Sequence, residues 1–451
     1  MSLVRIAGTI AIAIAILILA GDWTAKTVLF GPDGRMARLQ PYANDLLIAH
    51  PDLSSDGSKL VFDYRVVQSE TQITNRSLAI YDFSTGTIRK LIPPPHRSWH
   101  SASYSPDDEL LVLVQFCWHE SCAPEELGHQ IGIINIKTEK FHRITNGKIK
   151  TKIYGSGINP IAKERNIIRG LPIFSNKNDN IYYIAKYRDD FKEFDYSKIK
   201  MRNIEESLDE FSIGYVSLIS LDIIDGFDKG YDKIKYEESL VLTSEMGITQ
   251  FDDIGKISAI YQYHENEKEL LYFYATRPVG NKKNSIDKYR VGPHLLTRPS
   301  VFWLEPKSGL WGGAGDLAPS VSSTFNHTQS SSLPLAFART QLLAYEARSF
   351  SAARSGKVVS FRSPVKKDQC KYTGPEFGKF PFKYQSIFVI NQNNTDIYCV
   401  RGSGPVSSSI SGDGNKIVSI SLTNSYDSFI INNKTNKINK IDLFKDIDKF
   451  Q

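Results

Sequence analysis

Six segments of this chain share one pattern: an apolar residue, often a Ser, a short polar turn, then a run of apolar residues. It reads LSSDGSKLVF at 53–62, YSPDDELLVL from Tyr104 and FSNKNDNIYY from Phe174. It returns as YHENEKELLY from Tyr263, a shortened FARTQLLAY from Phe337, and ISGDGNKIVS from Ile410. In the opening copy Asp56 is placed to accept nearby backbone amides and Gly57 to take a positive φ. A second pattern trails the copies, with two alternating apolar/polar runs around a tight polar turn. Its versions are SLAIYDFSTGTIRKL (77–91), IGIINIKTEKFHRIT (131–145), SVFWLEPKSGLWG (300–312), SIFVINQNNTDIYCV (386–400) and SFIINNKTNKINKI (428–441). The third unit splits it into IGYVSLISL (213–221) and ESLVLT (238–243) around a charged insertion. Alternation around short Gly, Asn and Thr turns is hairpin chemistry.

Each unit thus reads strand, turn, strand, longer loop, strand, tight turn, strand. One such unit cannot bury both of its faces, whereas units stacked around an axis bury each other. The expectation is an all-β chain, a six-bladed β-propeller of four-stranded antiparallel blades with long inserted loops over residues 51–445. Seven blades is the nearest alternative; two β-sandwiches would not repeat this order of turns. Abundant aromatics, 24 Phe and 22 Tyr, agree with strands. Residues 27–50, with TVLFG and DLLIAH, read as a lead-in or a strand that closes the last blade.

The segments SSDGSKLVF, YSPDDELLVL and ISGDGNKIV resemble the repeats of the TolB-like β-propeller family, in which a Ser-Pro-Asp-Gly turn joins the first two strands of a blade. The resemblance covers most of residues 50–441 and implies the repeat scaffold, not a particular partner. The α/β domain that precedes the propeller in TolB has no counterpart in residues 27–50.

The N-terminus, MSLVRIAGTIAIAIAILILAGDW, has one positive charge, Arg5, before an uncharged run from Ile6 to Gly21. Residues 1–26 read as a secretory signal, with Ala20 and Gly21 as small residues for cleavage, or as an uncleaved membrane anchor. Either places the remainder outside the cytoplasm, periplasmic or anchored and facing the periplasm or exterior. In that setting the four cysteines, Cys117, Cys122, Cys370 and Cys399, point to structural disulfides. Pairing 117–122 and 370–399 is preferred, although sequence leaves three pairings open. A zinc site would need closer paired ligands.

The net charge of +6 is spread along the chain, without the basic stripe a nucleic-acid surface needs. There is no Gly-x-Ser-x-Gly elbow. HENEK at 264–268 lacks the second His of a zincin helix, and SPVK at 363–366 sits in a loop. No catalytic residue, metal site or cofactor is assigned.

Blade geometry nominates one surface. The loop entering a blade and the loop after its second strand open on the same side, which for the second unit joins PPPHRSWHSAS (93–103) to CWHESCA (117–123). Arg97, Trp99 and His100 are thereby expected beside Trp118, His119 and Glu120, a set suited to a protein partner or to stacking on a glycan. The alternative is that Trp99 and Trp118 fill gaps between blades. Insertions at 186–212, the first read as partly helical, and at 222–237, 275–299 and 350–384 would carry recognition or be decoration. The expected function is a protein-binding module or scaffold in a bacterial envelope or secreted complex, tied to a membrane only through its N-terminal segment. The alternative is a propeller-fold carbohydrate-active enzyme, a glycoside hydrolase or polysaccharide lyase, with carboxylates or His and metal at the axis.

Overall fold

The structure, a computed structural model, describes residues 46–69, 72–73, 75–117, 119–145, 167–175, 180–187, 215–225, 235–243, 259–265, 268–278, 290–291, 294–295, 297–304, 311–313, 348–354, 358–362, 370–374, 384–391, 395–401, 406–421 and 428–443. Residues 1–45, the expected signal or anchor and most of the lead-in, lie outside them. So does the expected copy at Phe337.

Among the described residues the chain is all-β apart from one 3-10 turn, Pro124–Glu126. Among the described residues six sheets of four or five strands follow one another along the chain, the four main strands of each in chain order, and a two-stranded ribbon, Arg290–Val291 with His294–Leu295, lies between strands of the fourth. The first sheet holds Leu46–Leu53, Lys59–Ser69, Ser77–Asp82 and Thr87–Leu91. The second holds Arg97–Tyr104, Leu110–Cys117, Gly128–Asn135 and Phe141–Arg143. The third and fourth begin with Ile167–Phe174 and Ala259–Glu265, the fifth and sixth with Arg348–Ala352 and Val406–Ile410. The first strand of each sheet touches the first strand of the next, and that of the sixth touches that of the first.

The consecutive apolar residues of the opening motif have a direct cause. Side chains alternate across a strand, and the first and sixth sheets are covered on both faces. Leu60 and Phe62 pack with Val418, Ile420, Ile441 and Leu443 of the sixth sheet. Val61, between them in sequence, packs the other way with Trp99, Tyr104, Leu111 and Leu113 of the second. The sixth sheet repeats the division: Ile417 and Ile431 meet Val389 and Tyr398 of the fifth, while Val418 and Ile420 meet the first. Each fully buried side chain of this size contributes about 1.5–3 kcal/mol.

The Ser and Asp of the motif build the same turn three times. Ser54 Oγ donates to Asp56 Oδ1 (2.8 Å) and accepts from Lys59 N (2.9 Å), while Ser58 N donates to Asp56 Oδ1 (2.8 Å). Ser105 with Asp107, and Ser411 with Asp413, make the equivalent bonds. The left-handed position is filled by Gly57, Asp108 and Gly414 (φ 67°, 61° and 77°). The turns also hold one another. Ser55 N donates to both carboxylate oxygens of Asp108 (2.8 and 2.9 Å), Asp413 N donates to Ser55 O (2.9 Å), and Lys416 Nζ donates to Gly57 O (3.0 Å). The sixth, first and second sheets are thus clasped at one end. Hairpins between third and fourth strands repeat likewise: Asp82, Asn135 and Asn432 each accept two amides of the turn.

The structure departs from the sequence reading in three places. The segment LLIAH is not separate from the first unit, because Leu46–Leu53 is that sheet's first strand. In the fifth sheet the first hairpin joins Arg348–Ala352 to Val358–Arg362, with Ala353 N bonded to Val358 O (2.9 Å) as Ser54 N is to Lys59 O (2.9 Å). Ala353 stands where the motif has its first Ser and Ser355 where it has Asp, so the copy lacks both side chains that build the turn and keeps only the Gly, Gly356. Third, the insertions are partly sheet. Tyr215–Asp225 and Lys235–Thr243 run into 222–237, and Tyr372–Thr373 pairs in parallel with Thr395–Arg401 beside a Cys370–Cys399 disulfide.

A Cβ at Gly57 would lie 2.9 Å from Lys416 Cδ and 3.1 Å from Ser411 Cβ, whereas one at Gly86, with the same φ of 67°, meets nothing closer than Tyr81 Oη at 3.8 Å. Gly86→Ala should therefore cost about 1 kcal/mol of backbone strain and Gly57→Ala about 2–3 kcal/mol. Urea unfolding of the two variants checks the difference.

Candidate functional site

The two ends of the assembly differ. First strands join second strands, and third join fourth, at the clasped end, and the joins among the described residues are tight turns. At the other end second and fourth strands finish and first and third strands begin, so the chain leaves the described sheets there for its longer stretches, 188–214, 244–258 and 314–347 among them. This is the loop-bearing end.

The second sheet presents an ordered rim there. Arg97 stands opposite Cys117 in register. Its Nη2 donates to Glu126 Oε2 (2.6 Å), and Arg143 Nη1 lies 3.4 Å from Glu126 Oε1. Ala123 N also donates to Glu126 (3.2 Å). Partial burial raises the Glu126 carboxyl, but Arg97, this amide and Arg143 outweigh it and hold the group below its usual range. His119 stacks on His96 with centroids 3.8 Å apart and interacts with Ser121 Oγ (2.9 Å). A Cys117–Cys122 disulfide closes this loop, and Glu120 is exposed. Trp118 lies outside the described residues.

Trp99 and His100 do not stand on that rim. Two and three residues into the strand, they are enclosed by neighbouring sheets, 5% and 9% exposed. Trp99 fills the space between the first and second sheets, 5.1 Å from Phe141 ring to ring. The sequence argument fixes the correct end of the strand but not the depth.

His100 belongs instead to a buried polar group that the sequence did not reveal. First strands of the first, second and third sheets each carry a register shift, between Ala49 and Asp52, His100 and Ser103, and Gly170 and Ile173. Within these bulges His50, Ser101 and Leu171 take positive φ (45°, 53° and 49°). Asp63, its side chain 2% exposed, gathers His50 Nδ1 (2.7 Å), Arg76 Nη1 (3.2 Å) and Ser101 N (3.3 Å). Burial would raise this carboxyl; His50, Arg76 and His100 overcome that and hold it far below the usual range. The His100 ring lies 6.2 Å from that of His50 and 5.6 Å from that of His129, with its Nδ1 3.0 Å from Ser101 Oγ. Its Nε2 has no hydrogen-bond partner among the described residues. Burial, then Arg76 and His129, push the imidazole well below its ordinary pKa against the pull of Asp63. Arg169, buried on the third sheet, donates to His129 O (3.1 Å) and Gln130 Oε1 (3.0 Å).

At the clasped end Asp52 accepts from Ser103 Oγ and Tyr104 N (both 2.9 Å) and from Ser409 Oγ (3.3 Å). Arg354 of the fifth sheet donates to Tyr104 O of the second, a sheet it does not adjoin. Chemically the arrangement offers an ionised carboxylate orienting a half-exposed imidazole. Among the described residues no group of three His, Cys, Asp or Glu is arranged to hold a metal.

Because His100 binds protons less readily folded than unfolded, the native state loses stability as pH falls below about 6.5, by up to about 1.4 kcal/mol per pH unit. Asp63, shifted down, acts only below about pH 4, where its contribution fades. Melting temperatures measured between about pH 7.5 and 5.5 should therefore fall less in His100→Gln than in the unaltered protein.

No family model matches the chain, and no curated protein sequence matches it. Among solved structures it is similar to an oligogalacturonate lyase in complex with manganese, with TM-score 0.41 and 10% identity over 88% of this chain and 77% of that one. An oligogalacturonate lyase from Vibrio parahaemolyticus gives 0.40 and 11% over 89% and 80%. TolB from Acinetobacter baumannii gives 0.33 and 10% over 78% and 56%. At these values the likenesses transfer no site residue from one chain to another.

Proposed function

We propose that this protein is an exported six-bladed β-propeller of TolB-like type that binds a protein partner through its loop-bearing end, as a module or scaffold of a bacterial envelope or secreted complex. The observation that carries the reading is the difference between the two ends: self-bonded turns at one, every long between-sheet connection at the other. Long loops on a rigid scaffold are where recognition concentrates. Six sheets in chain order, touching by their first strands and meeting first to last, support the blade number. The apolar run from Ile6 to Gly21 and the two disulfides support export to an oxidising compartment, with the N-terminal segment as the membrane contact. The ordered Arg97–Glu126–Arg143 rim beside His119 and Glu120 supplies polar contacts, and a glycan is an alternative ligand there.

The second reading, a carbohydrate-active enzyme, has one observation in its favour: His50 is oriented by a buried carboxylate, as a general base would be.

Affinity capture from native envelopes tests the first reading. The full chain and an Asn135→Ala, Lys137→Ala variant at the clasped end should retain the same partner. Replacing 188–214 and 279–296 by short Gly-Ser linkers should reduce its capture at least about tenfold, the loss of a few hot-spot contacts. Equal capture by all forms would remove the loop-bearing end as the binding surface. Turnover of a polysaccharide by the full chain, abolished in His50→Ala, would put the enzyme first.

A further inference from the structure

We propose that the first strands of the first and second sheets form a binding site for a small carboxylate anion, with the Nε2 atoms of His50 and His100 as its donors. The site is separate from the rim and does not depend on what binds there.

The two imidazoles are presented differently. Asp63 occupies Nδ1 of His50 at 2.7 Å, which turns Nε2 to the opposite edge of a ring whose side chain is 36% exposed. His100 is nine-tenths buried, its Nδ1 engaged by Ser101, and its Nε2 lacks a partner among the described residues. A buried ring nitrogen left unmatched is unfavourable, so a ligand oxygen that fills it gains a well-desolvated hydrogen bond.

Charge selects an anion. Among the described residues the largest electrostatic influences on His100 come from Arg76, His129, Asp63 and His50, of which one is an acid. That acid is already engaged by His50, Arg76 and the Ser101 amide. Arg169 adds a further buried cation behind His129. An anion entering this low-dielectric surrounding meets the charges of Arg76 and Arg169 with Asp63 as the opposing one, a net positive balance. With Nδ1 donating to Asp63, His50 offers a second proton at Nε2 only as imidazolium, and His100 resists protonation because it is buried beside Arg76 and His129, which outweigh Asp63. Carboxylate binding therefore takes up protons, and by reciprocity acid strengthens binding. The clasped end is closed to a ligand, since Arg354 reaches across to Tyr104 and Asp52 clasps Ser103 and Ser409 there.

Succinate is a suitable probe, with uncharged succinamide and inorganic phosphate for comparison. Calorimetry on the full chain, in two buffers of different ionisation enthalpy, should show succinate binding with proton uptake and about tenfold tighter at pH 5.5 than at 7.5. His50→Gln and His100→Gln should each weaken it by about tenfold or more, as loss of a charged hydrogen bond does; Lys137→Gln at the clasped end should not. Should either His variant fold poorly, ring-nitrogen NMR of the unaltered protein gives the same answer: succinate should raise the pKa of His100 and shift the Nε2 resonances of both rings. The proposal is overturned if those resonances stay fixed at about 10 mM succinate, beyond the millimolar range of weak ligands. It is equally overturned if succinamide binds as well as succinate, or if phosphate binds and succinate does not.

Discussion

Every sheet whose core is described here has apolar side chains on both faces, and from this the rest follows. Leu60 and Phe62 on one side of a strand and Val61 on the other cannot both be satisfied by a single layer above the sheet. Each sheet needs a neighbour on either side, and a row of such sheets would leave its two terminal faces open to water. Contact between the first and sixth sheets removes those open faces: Ile48, Leu53 and Phe62 are covered by Val418 and Ile420. Polar bonds confirm the seam, with Leu53 N donating to Ser409 Oγ (3.2 Å) and Lys416 Nζ to Gly57 O (3.0 Å).

The two ends then divide their work. At the clasped end each Ser-x-Asp turn satisfies its own amides and those of its neighbour, so that backbone is fixed twice, within the hairpin and between sheets. At the loop-bearing end the strands only have to be handed back in register, which leaves length and composition free. Bulges at His50, Ser101 and Leu171 lie between the two regimes, and the left-handed residue in each re-aims the strand before it enters the tight packing. Leucine and serine hold this conformation as histidine does, so the bulge belongs to the scaffold. The imidazoles are what the first two sheets add to it.

What could be read from sequence was whatever is local. Ser54, Asp56 and Gly57 act within five residues of one another, so their pattern survives as text, and Asp82, Asn135 and Asn432 mark the second hairpins for the same reason. The fifth unit was misplaced because Ala353 keeps the backbone bond while the Ser and Asp side chains that signal it are lost. His50, Pro51 and Asp52 interrupt the alternation of the first strand, which made LLIAH look like a lead-in. Arg97 is legible as a residue at the end of its strand, since antiparallel register alone sets it opposite Cys117. The depth of Trp99 and His100 is not, because it depends on the adjoining sheets. The Asp63 group was invisible for another reason: its partners come from His50, Arg76 and Ser101, on three separate segments. A charged residue directly after LVF, in a strand otherwise buried, was the one available signal.

That signal bears on how site and fold are coupled. Asp63 does not merely orient His50; it also accepts the amide of Ser101 in the next sheet. Arg76, which it holds, donates its amide to Ser98 Oγ (3.1 Å) and accepts from Trp99 N (2.9 Å). The carboxylate is therefore part of the seam between the first two sheets, and removing it would take from Arg76 its ion pair and from the Ser101 amide its acceptor in a buried place. The rim is built on the opposite principle. Its ion pairs are partly exposed, its loop is closed by its own disulfide, and its side chains can change without disturbing the inter-sheet packing. A surface arranged this way tolerates substitution, whereas the imidazoles of His50 and His100 are tied to the charge that holds two sheets together.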